Sequence, residues 1–379
     1  MKLLYITDQK LPRKATDTDQ FMAMVSAFGQ NGIEITLLSS KSFLSKQISE
    51  IDLSSYFSIE SSFKHKTISS QLFGLRFLEK PLQGFLTLFS SSFREADVIY
   101  SRSLNNIIPA TLFTKKLIFL ETYKTLPDNS IFLKPLLWIL KKKKNFKGII
   151  THSDYAAQSF LRFGFKKEQL RVEHNGLDLG LLEPALSKKE ARDLLGLPQD
   201  AFILSYSVTV SMDKGLELFF PVAEKLKEIT FMIIGSKGKG NFENLAKAYP
   251  NIIIKPWMQQ SELIPYLYAS DCLCIPPSDK PLKQIGNTVL PIKTFIYMAS
   301  NRPIIAPNTP DLVELLKHEK NALLVEPGDE QAFQKAIIRI QKETDFSNKL
   351  ALLAKEQMSS NTWVKRAKRI IEYCETQLN

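Results

Sequence analysis

Short apolar runs alternate with segments of helical periodicity along most of the chain. The first forty residues contain an apolar run at 2–7, a polar loop at 8–19, an apolar-periodic helix at 20–30 and a short β-rich run at 33–39. Asn31 and Gly32 predict the end of that helix, because glycine readily adopts the left-handed backbone of a C-cap. A strand–helix–strand unit of this size indicates a parallel sheet, in which ligands bind at the carboxyl ends of the strands.

The alternation continues as two series of elements, separated by the turn sequence at residues 175–178. The first series has further strand-like runs at 97–101, 117–121 and 148–152, and a weakly periodic segment at 72–93 that we interpret as helical. In the second series, strands are predicted at 202–206, 231–234, 251–254, 271–275, 303–306 and 322–325. Helices are predicted at 215–227, 261–269, 293–299, 330–342 and from about 362. We therefore predict two α/β domains, residues 1–178 and 179–361.

The composition is that of a globular protein, with 44% apolar and 23% charged residues among 379. Its three cysteines, Cys272, Cys274 and Cys374, are too few for a disulfide framework, and no Cys/His cluster has zinc-site spacing. A metal is therefore not expected. The first residues are charged too early for a signal peptide, and no run approaches the roughly 20 apolar residues of a membrane span. We expect a cytoplasmic protein, either soluble or peripheral at the inner face of the membrane.

The positive charge is concentrated in the first half of the chain. The net charge is +11, of which +9 belongs to residues 1–180. An anionic membrane surface or an anionic acceptor fits this excess, whereas nucleic acid is not predicted because no nucleic-acid-binding motif accompanies it. The segment 133–147 (LKPLLWILKKKKNFK) is either a lipid-docking segment or a helix that packs its apolar side on the sheet.

Four motifs in the second half resemble, in order and spacing, those of the family 4 glycosyltransferases. They are VEHNGLD at 172–178, YSVTVSMDKG at 206–215, LPIKTFIYMASNRPIIA at 290–306 and NALLVEPGD at 321–329. The resemblance covers residues 172–379 well and residues 1–40 loosely. It implies the α/β GT-B fold, with two facing Rossmann-like domains and a C-terminal helix, 362–379, that crosses back to the first. It also implies sugar transfer from a nucleotide sugar to a glycan or lipid-linked acceptor, with retention and without a metal. No cofactor is implied, since the nucleotide sugar is a co-substrate.

The resemblance places the donor in the second domain. Lys214 matches the lysine that reaches the donor diphosphate, where developing negative charge needs cations and backbone N–H groups. The alternative is a solvated surface lysine. The other residues implied at the donor are Gly235, Trp257, Met258, Asn287, Thr288, Val289, Leu290 and Lys293. Their alternatives are an ordinary turn for Gly235, a capped loop for 286–290 and a buried core tryptophan for Trp257.

Asp8 and Tyr123 are the residues implied on the acceptor side. Both follow strand-like runs of the first domain, and Tyr123 occupies the histidine position of the family's E-x-H pattern in Glu121-Thr122-Tyr123. His152 ends another strand and is a further acceptor-side candidate, while Ser153 is expected to cap the following helix.

Several positions depart from the family pattern. Ile296 and Thr288 stand where the family has two glutamates, and isoleucine cannot accept hydrogen bonds from a ribose. Val208 and Thr209 replace a glycine–arginine pair, so one diphosphate cation is absent. Two interpretations remain open. The enzyme uses another donor or binding mode, with charge from Lys10, Arg13 or Lys14. Alternatively, the chain is a non-catalytic GT-B protein that binds partners at a membrane or in a glycan-assembly complex.

Overall fold

The computed structural model describes residues 1–378 apart from 14, 42–49, 60–61, 71–75, 130, 208, 239 and 284–289. It divides into two compact units. The N-terminal unit comprises Met1–His174 and Trp363–Asn379, and the C-terminal unit comprises Asn175–Thr362. The sequence-based division was 1–178 with 362–379, and 179–361.

The N-terminal unit contains a seven-stranded parallel sheet in the order β3-β2-β1-β4-β5-β6-β7. Its strands are β1 Lys2–Lys10, β2 Glu34–Lys41, β3 Lys64–Ser69, β4 Val98–Ser101, β5 Leu117–Thr122, β6 Phe146–Thr151 and β7 Leu170–Val172. The predicted loop at 8–19 is wrong at its start, because β1 continues to Lys10 and Asp8 lies within it. The edge strand β3 was not predicted.

The C-terminal unit contains a six-stranded parallel sheet in the order β10-β9-β8-β11-β12-β13. Its strands are β8 Phe202–Ser207, β9 Ile229–Ser236, β10 Ile252–Pro256, β11 Cys272–Cys274, β12 Ile304–Pro307 and β13 Leu323–Val325. Both sheets are parallel with helical connections, so the predicted α/β fold class is confirmed.

Helices cover both sheets. Those before residue 175 are α1 Thr16–Gln30, α2 Glu50–Phe57, α3 Arg76–Thr87, α4 Ser91–Glu95, α5 Leu104–Phe113, α6 Leu126–Asn129, α7 Lys134–Lys142 and α8 Asp154–Phe163. Those after it are α9 Lys188–Leu195, α10 Phe219–Lys225, α11 Asn241–Ala246, α12 Gln260–Ala269, α13 Lys280–Lys283, α14 Lys293–Ala299, α15 Glu330–Lys342, α16 Thr344–Ser359 and α17 Trp363–Thr376. None of these described helices is long and apolar enough to cross a membrane.

Three helix predictions are corrected. Of the predicted helix 72–93, residues 72–75 lie outside the described residues. The rest falls in two helices, α3 and α4, because Ser90 has an extended backbone and caps α4 by accepting a hydrogen bond from Phe93 N–H. The predicted helix at 215–227 begins as 3-10 turns and becomes α-helical only at Phe219, after Gly215 has taken a φ of +81°. The helix α16 was missed, since it follows α15 after a single residue.

Apolar cores lie on both faces of the N-terminal sheet. On one face, α17 packs beside α1 and buries Ala367, Ile370 and Cys374 in the core that contains Tyr5 and Tyr100. On the other face, α7 buries Leu137 and Leu140. The packing alternative for the segment 133–147 therefore holds for these two leucines. Because α17 belongs to this unit, it carries Arg366 to the carboxyl ends of the N-terminal strands.

Candidate functional site

Lys214 lies in a tight turn beyond the carboxyl end of β8. The turn Met212–Lys214 is a 3-10 helix that ends at Gly215, whose φ is +81°. A Cβ at Gly215 would overlap the side chain of Ser278, so the backbone there fits closely against the loop after β11. The Lys214 ammonium is 3.6 Å from the carboxylate of Asp213 and is partly exposed. The glycine thus fixes the position from which Lys214 extends.

Lys293 is brought to the same strand end by the first turn of α14. Its Nζ lies 3.9 Å from the centroid of the Tyr206 ring, near the end of β8. The buried Tyr297 of α14 holds this arrangement, because its hydroxyl accepts a hydrogen bond of 2.7 Å from the Ser207 N–H. Removal from water lowers the pKa of Lys293 to about 7, an effect that Cys274 opposes and Lys214 reinforces. The structure therefore brings Lys214 and Lys293 into one electrostatic environment.

The predicted residues Gly235, Trp257 and Met258 lie at the ends of the neighbouring strands. Gly235, in β9, has a φ of +115° and its carbonyl accepts a hydrogen bond of 3.4 Å from Val210 N–H. Trp257 follows β10 and is 57% exposed, so the buried-core alternative for this tryptophan is wrong. Met258 is partly buried against the small cluster of Ile203, Met232 and Ile234. Of these three residues, Trp257 is exposed, Met258 is partly buried and Gly235 is buried.

Leu290 has a strained backbone, with a φ of +58° that a non-glycine residue rarely adopts. Its side chain is buried, and its N–H donates a hydrogen bond of 2.9 Å to the buried carboxylate of Asp311. Leu290 therefore anchors the start of α14 rather than offering its N–H to a ligand. The predicted residues Asn287, Thr288 and Val289, as well as Val208 and Lys14, lie outside the described residues.

Ile296, in the position of the family's ribose-binding glutamate, is buried in α14 and is 5% exposed. The residues beside it in the sequence of this helix, Phe295, Tyr297 and Met298, are also fully buried. Ile296, which replaces the family's glutamate, is therefore a buried apolar residue of this helix.

In the N-terminal unit, a buried carboxylate collects cations at the ends of β4, β5 and β6. Glu121 accepts hydrogen bonds from His152 Nε2 at 2.6 Å and from Arg366 Nη2 at 2.9 Å. Burial alone would raise the pKa of Glu121, but Arg366, His152 and Arg102 together lower it well below its usual range. Burial lowers the pKa of His152 to about 4, against the attraction of Glu121, so this histidine is neutral at physiological pH. The network is a fixed ion pair with a neutral histidine beside it.

Tyr123 lies above this network and is flanked by cations. The Arg102 guanidinium carbon and the Lys124 Nζ are each 5.5 Å from the centroid of its ring, and the His152 ring is 6.0 Å away. Such contacts fit the attraction of cations to an aromatic face. Tyr123 and its two cations are partly exposed at the edge of an otherwise buried cluster.

Asp8 is held in an ion pair, with its carboxylate 2.6 Å from Lys80 Nζ of α3. In the following loop, Arg13 is 3.9 Å from the carboxylate of Asp17, and Lys10 ends β1. Asp8 lies on β1 and Tyr123 directly follows β5 of the same sheet, with β4 between these two strands. Ser153 caps α8 by accepting a hydrogen bond from Ala156 N–H, as expected.

Sequence reasoning missed Arg366 and Arg102. Arg366 is fully buried and also donates to the backbone carbonyls of His174 at 3.0 Å and Glu173 at 3.3 Å. A signal for it was present, because residue 366 falls on the helix face that buries 367, 370, 371 and 374. An arginine on an apolar stripe requires a buried partner. Among the described residues, no group of three or more His, Cys, Asp or Glu is arranged to hold a metal ion.

In comparisons with known proteins, the family match lies in the C-terminal unit. Residues 202–343, which include Lys214 and Lys293, match the family model described as Glycosyl transferases group 1. A D-inositol 3-phosphate glycosyltransferase of Nocardioides sp. is 22% identical over 248 residues, which cover 59% of this chain and 52% of that protein. The chain therefore aligns with about half the length of this curated relative.

Solved structures extend the likeness to the whole chain. Anabaena HepE in complex with UDP-glucose has a TM-score of 0.72 at 16% identity, over 99% of this chain and 100% of that one. The sucrose-phosphate synthase of Thermosynechococcus elongatus has a TM-score of 0.75 at 16% identity, over 99% and 98%. At these identities the likeness shows the fold alone. The chain therefore has the predicted GT-B fold, and its residues 202–343 are similar to the group 1 glycosyltransferases.

Proposed function

We propose that this chain is a glycosyltransferase that moves a sugar from a nucleotide-sugar donor to a glycan or lipid-linked acceptor, with retention at the anomeric carbon. The observation that supports this most directly is the family match over residues 202–343, because that segment holds Lys214, Gly235 and Lys293 at one end of its sheet. The nucleotide sugar is a co-substrate, and the proposal includes neither a metal nor a cofactor.

The donor diphosphate is the group that Lys214 and Lys293 would hold. Departure of the sugar leaves negative charge on the diphosphate, which preorganised cations stabilise more than they stabilise the ground state. Among the residues that the structure describes, Lys293 has no carboxylate partner, and its cation lies on an aromatic ring instead. We propose that Lys293 supplies the cation that the missing arginine supplies elsewhere. Since HepE was solved with UDP-glucose, UDP sugars are the first donors to test.

The acceptor side of the proposal is the N-terminal unit. Tyr123, with Arg102 and Lys124 at its ring, offers aromatic and cationic surface to a sugar or to a phosphate of a lipid-linked acceptor. Asp8 is a candidate for a hydrogen bond to an acceptor hydroxyl, although its salt bridge to Lys80 must then rearrange. An anionic membrane is proposed as a further partner of this unit, which would make the protein peripheral and suit it to polysaccharide assembly.

A second candidate function is favoured by Ile296. Because this buried residue accepts no hydrogen bond, the ribose contact that the family glutamate makes is lost at this position. A non-catalytic GT-B protein that binds partners at a membrane or in a glycan-assembly complex would tolerate that loss.

Thermal unfolding with UDP, GDP, ADP and their sugar conjugates distinguishes the two candidates. A ligand at about 100 times its Kd stabilises the folded protein by about 2.7 kcal/mol. We expect one nucleotide class to raise the melting temperature, and Lys214→Ala to abolish the rise. Lys320→Ala, at an exposed lysine of the same unit, is the matched control and should retain it. The absence of a shift with every nucleotide at millimolar concentration would favour the non-catalytic protein.

Retention requires a separate measurement. Once a donor and an acceptor sugar are found, proton NMR of the fresh product reports the configuration at the new glycosidic bond. The proposal expects the configuration of the donor. An inverted product would refute the retaining mechanism but not the transferase.

A further inference from the structure

Exposed aromatic side chains are concentrated in the N-terminal unit. Among the described residues, six of the seven large aromatic side chains that are exposed lie there, and Trp257 is the seventh. Five of those six lie on or next to α3, α5 and α7, and α5 contacts both of the other two helices. These five are Phe85, Phe89, Phe113, Phe132 and Trp138. Folding does not explain their position, because water still covers much of their surface.

Three of the five phenylalanine and tryptophan rings form a contiguous patch. The Phe85 ring centroid is 5.5 Å from that of Phe89 and 6.5 Å from that of Phe113. Phe89 is 65% exposed and Phe113 is 69% exposed, and the exposed Leu112 adjoins Phe113 along α5. Contiguous apolar surface of this kind marks an interaction site more often than single exposed residues do.

The start of α7 adds a second apolar group. Ile131 and Phe132 are 71% and 87% exposed in the turn before the helix, and Trp138 is half-exposed one helical turn into it. The Lys142 ammonium lies 3.5 Å from the centroid of the Trp138 ring. Trp and Lys in this arrangement are typical of a membrane interface, where the ring sits at headgroup level and the ammonium extends to the phosphates.

Basic side chains surround both groups. Exposed basic residues lie in α4, just after α5 and at both ends of α7: Arg94, Lys115, Lys134, Lys142, Lys143 and Lys144. Lys116 is more buried and donates to the carbonyls of Arg94 and Ala96. Among the described residues, the exposed carboxylates next to these groups are Glu95, Asp97 and Asp128. Asp97 accepts a hydrogen bond from Lys2 N–H at 2.7 Å, and Asp128 is paired with Arg162 at 2.7 Å. Positive charge therefore dominates the rim.

We propose that the face formed by α3, α5 and α7 docks on an anionic lipid bilayer, with the aromatic side chains in the headgroup region and the lysines against the phosphates. The combination of exposed apolar side chains and a basic rim fits an anionic bilayer. Apolar side chains that protrude singly and in pairs gain by entering lipid, and the basic rim is complementary to an anionic leaflet. The docking is independent of the proposed transfer reaction, since it requires no donor.

Vesicle flotation of the full chain tests the proposal. Vesicles of phosphatidylcholine alone are compared with vesicles that also contain phosphatidylglycerol, at low and at physiological salt. We expect binding to the anionic vesicles only, and weaker binding as salt rises, because screening shortens the reach of surface charge. Equal binding to both vesicle types, or to neither, would overturn the proposal.

Variants then separate the apolar from the electrostatic contribution. The pairs Phe89→Ser with Phe113→Ser, and Ile131→Ser with Phe132→Ser, should each weaken binding about tenfold or more. The triple substitution Lys115→Gln, Lys143→Gln and Lys144→Gln should weaken it on the order of a hundredfold, because each lysine near an anionic surface contributes about fivefold. All replaced side chains are exposed, so the melting temperature should not change.

Matched controls lie in the C-terminal unit. Leu194→Ser with Leu352→Ser removes two exposed apolar side chains, and the triple change Lys320→Gln, Lys335→Gln and Lys349→Gln lowers the net charge equally. Both should bind vesicles as the unaltered protein does. If the control triple weakens binding as much as the test triple, net charge rather than this face attracts the bilayer, and the proposal is wrong.

Gel filtration tests the alternative that this face is an interface between two copies of the chain. If Phe89→Ser with Phe113→Ser converts a dimer to a monomer while vesicle binding persists, the face is an interface between two copies of this chain and the proposal is overturned. Because nucleotide-induced thermal shifts are measured without lipid, a failure of docking would remove the proposed membrane partner but leave the proposed transfer reaction intact. A failure to bind nucleotides would likewise leave the docking proposal intact.

Discussion

The N-terminal unit buries an arginine against a carboxylate, whereas the C-terminal unit holds a lysine against an aromatic ring. Arg366 is fully buried and lies 2.9 Å from Glu121, which makes it part of the packing of its unit. Lys293 is half-buried at the end of β8, 3.9 Å from the Tyr206 ring centroid, and its pKa is lowered to about 7. Both cations lie near the carboxyl ends of parallel strands. Position at a strand end therefore does not distinguish a structural cation from a candidate ligand-binding one. The partner does, because Arg366 is neutralised by a buried carboxylate and Lys293 is not.

We expect the largest loss of stability when Arg366, the cation paired with Glu121, is replaced. Arg366→Met leaves Glu121 buried without its closest arginine, so we expect the free energy of unfolding to fall by about 3–5 kcal/mol. Urea unfolding followed by circular dichroism measures it. Arg339→Met, which breaks surface pairs with Glu319 and Glu343, should cost no more than about 1 kcal/mol. Equal losses in the two variants would remove the distinction between buried and surface pairs.

The next effect concerns the turn that presents Lys214. Gly215→Ala should lower the free energy of unfolding by about 2–4 kcal/mol, because it combines a positive φ with overlap against Ser278. It should also weaken nucleotide binding. Gly196→Ala is the control, since Gly196 has a φ of +62° with open space around it, and should cost only about 1 kcal/mol. If the two alanine variants are equally stable, the contact with Ser278 does not constrain the turn.

Acid should destabilise the N-terminal unit through His152. The pKa of His152 is about 4 in the folded protein, whereas its ordinary value of 6.5 applies to the unfolded chain. Its contribution to stability is therefore complete above about pH 6.5 and is lost as the pH falls toward 4. Between about pH 7.5 and pH 5 we expect a loss of about 2 kcal/mol, measured by urea unfolding at each pH. His152→Asn should be less stable overall and show a flatter pH dependence; an unchanged slope would exclude His152 as its source.

We expect the smallest effect for Lys293, which has no carboxylate partner among the described residues, and it concerns the affinity for the donor. A bound diphosphate favours the charged form of Lys293, so the affinity for UDP-glucose should rise as the pH falls through about 7. Lys293→Met should weaken binding about tenfold at low pH and less at high pH. Lys293→Arg should retain affinity and lose the pH dependence. Isothermal titration calorimetry measures all three proteins, and identical affinities would show that Lys293 does not contact the donor.

The sequence predicted elements whose signal is local and apolar. Strands such as β8 and β9 are buried runs, and the cap at Ser153 is determined by a single hydroxyl. The edge strand β3 was missed because its sequence, KHKTIS, is largely polar, and its hydrogen bonds come only from β2. Pairing partners of this kind are not encoded locally.

Site residues that belong to a sequence motif could be predicted. Contacts that form only when distant segments pack together could not. Lys214 and Lys293 were found by motif, but the contact of Lys293 with Tyr206 joins residues 87 positions apart in the sequence. Similarly, the pair of Glu121 and Arg366 is 245 residues apart. The apolar stripe of α17 indicates that Arg366 is buried, but only the fold shows that its partner is Glu121 and that Lys293 lies on the Tyr206 ring.

The helix α17 has a consequence for biosynthesis. A ribosome releases residues 1–174 long before residues 363–376, so the N-terminal sheet emerges without the helix that completes its core. During that interval Glu121 has no Arg366, and the apolar face formed with α1 remains open. Domains that are continuous in sequence can fold as they leave the ribosome. In this chain the C-terminal unit, Asn175–Thr362, has emerged whole while the N-terminal unit still awaits its last helix, so the unit translated first is completed last.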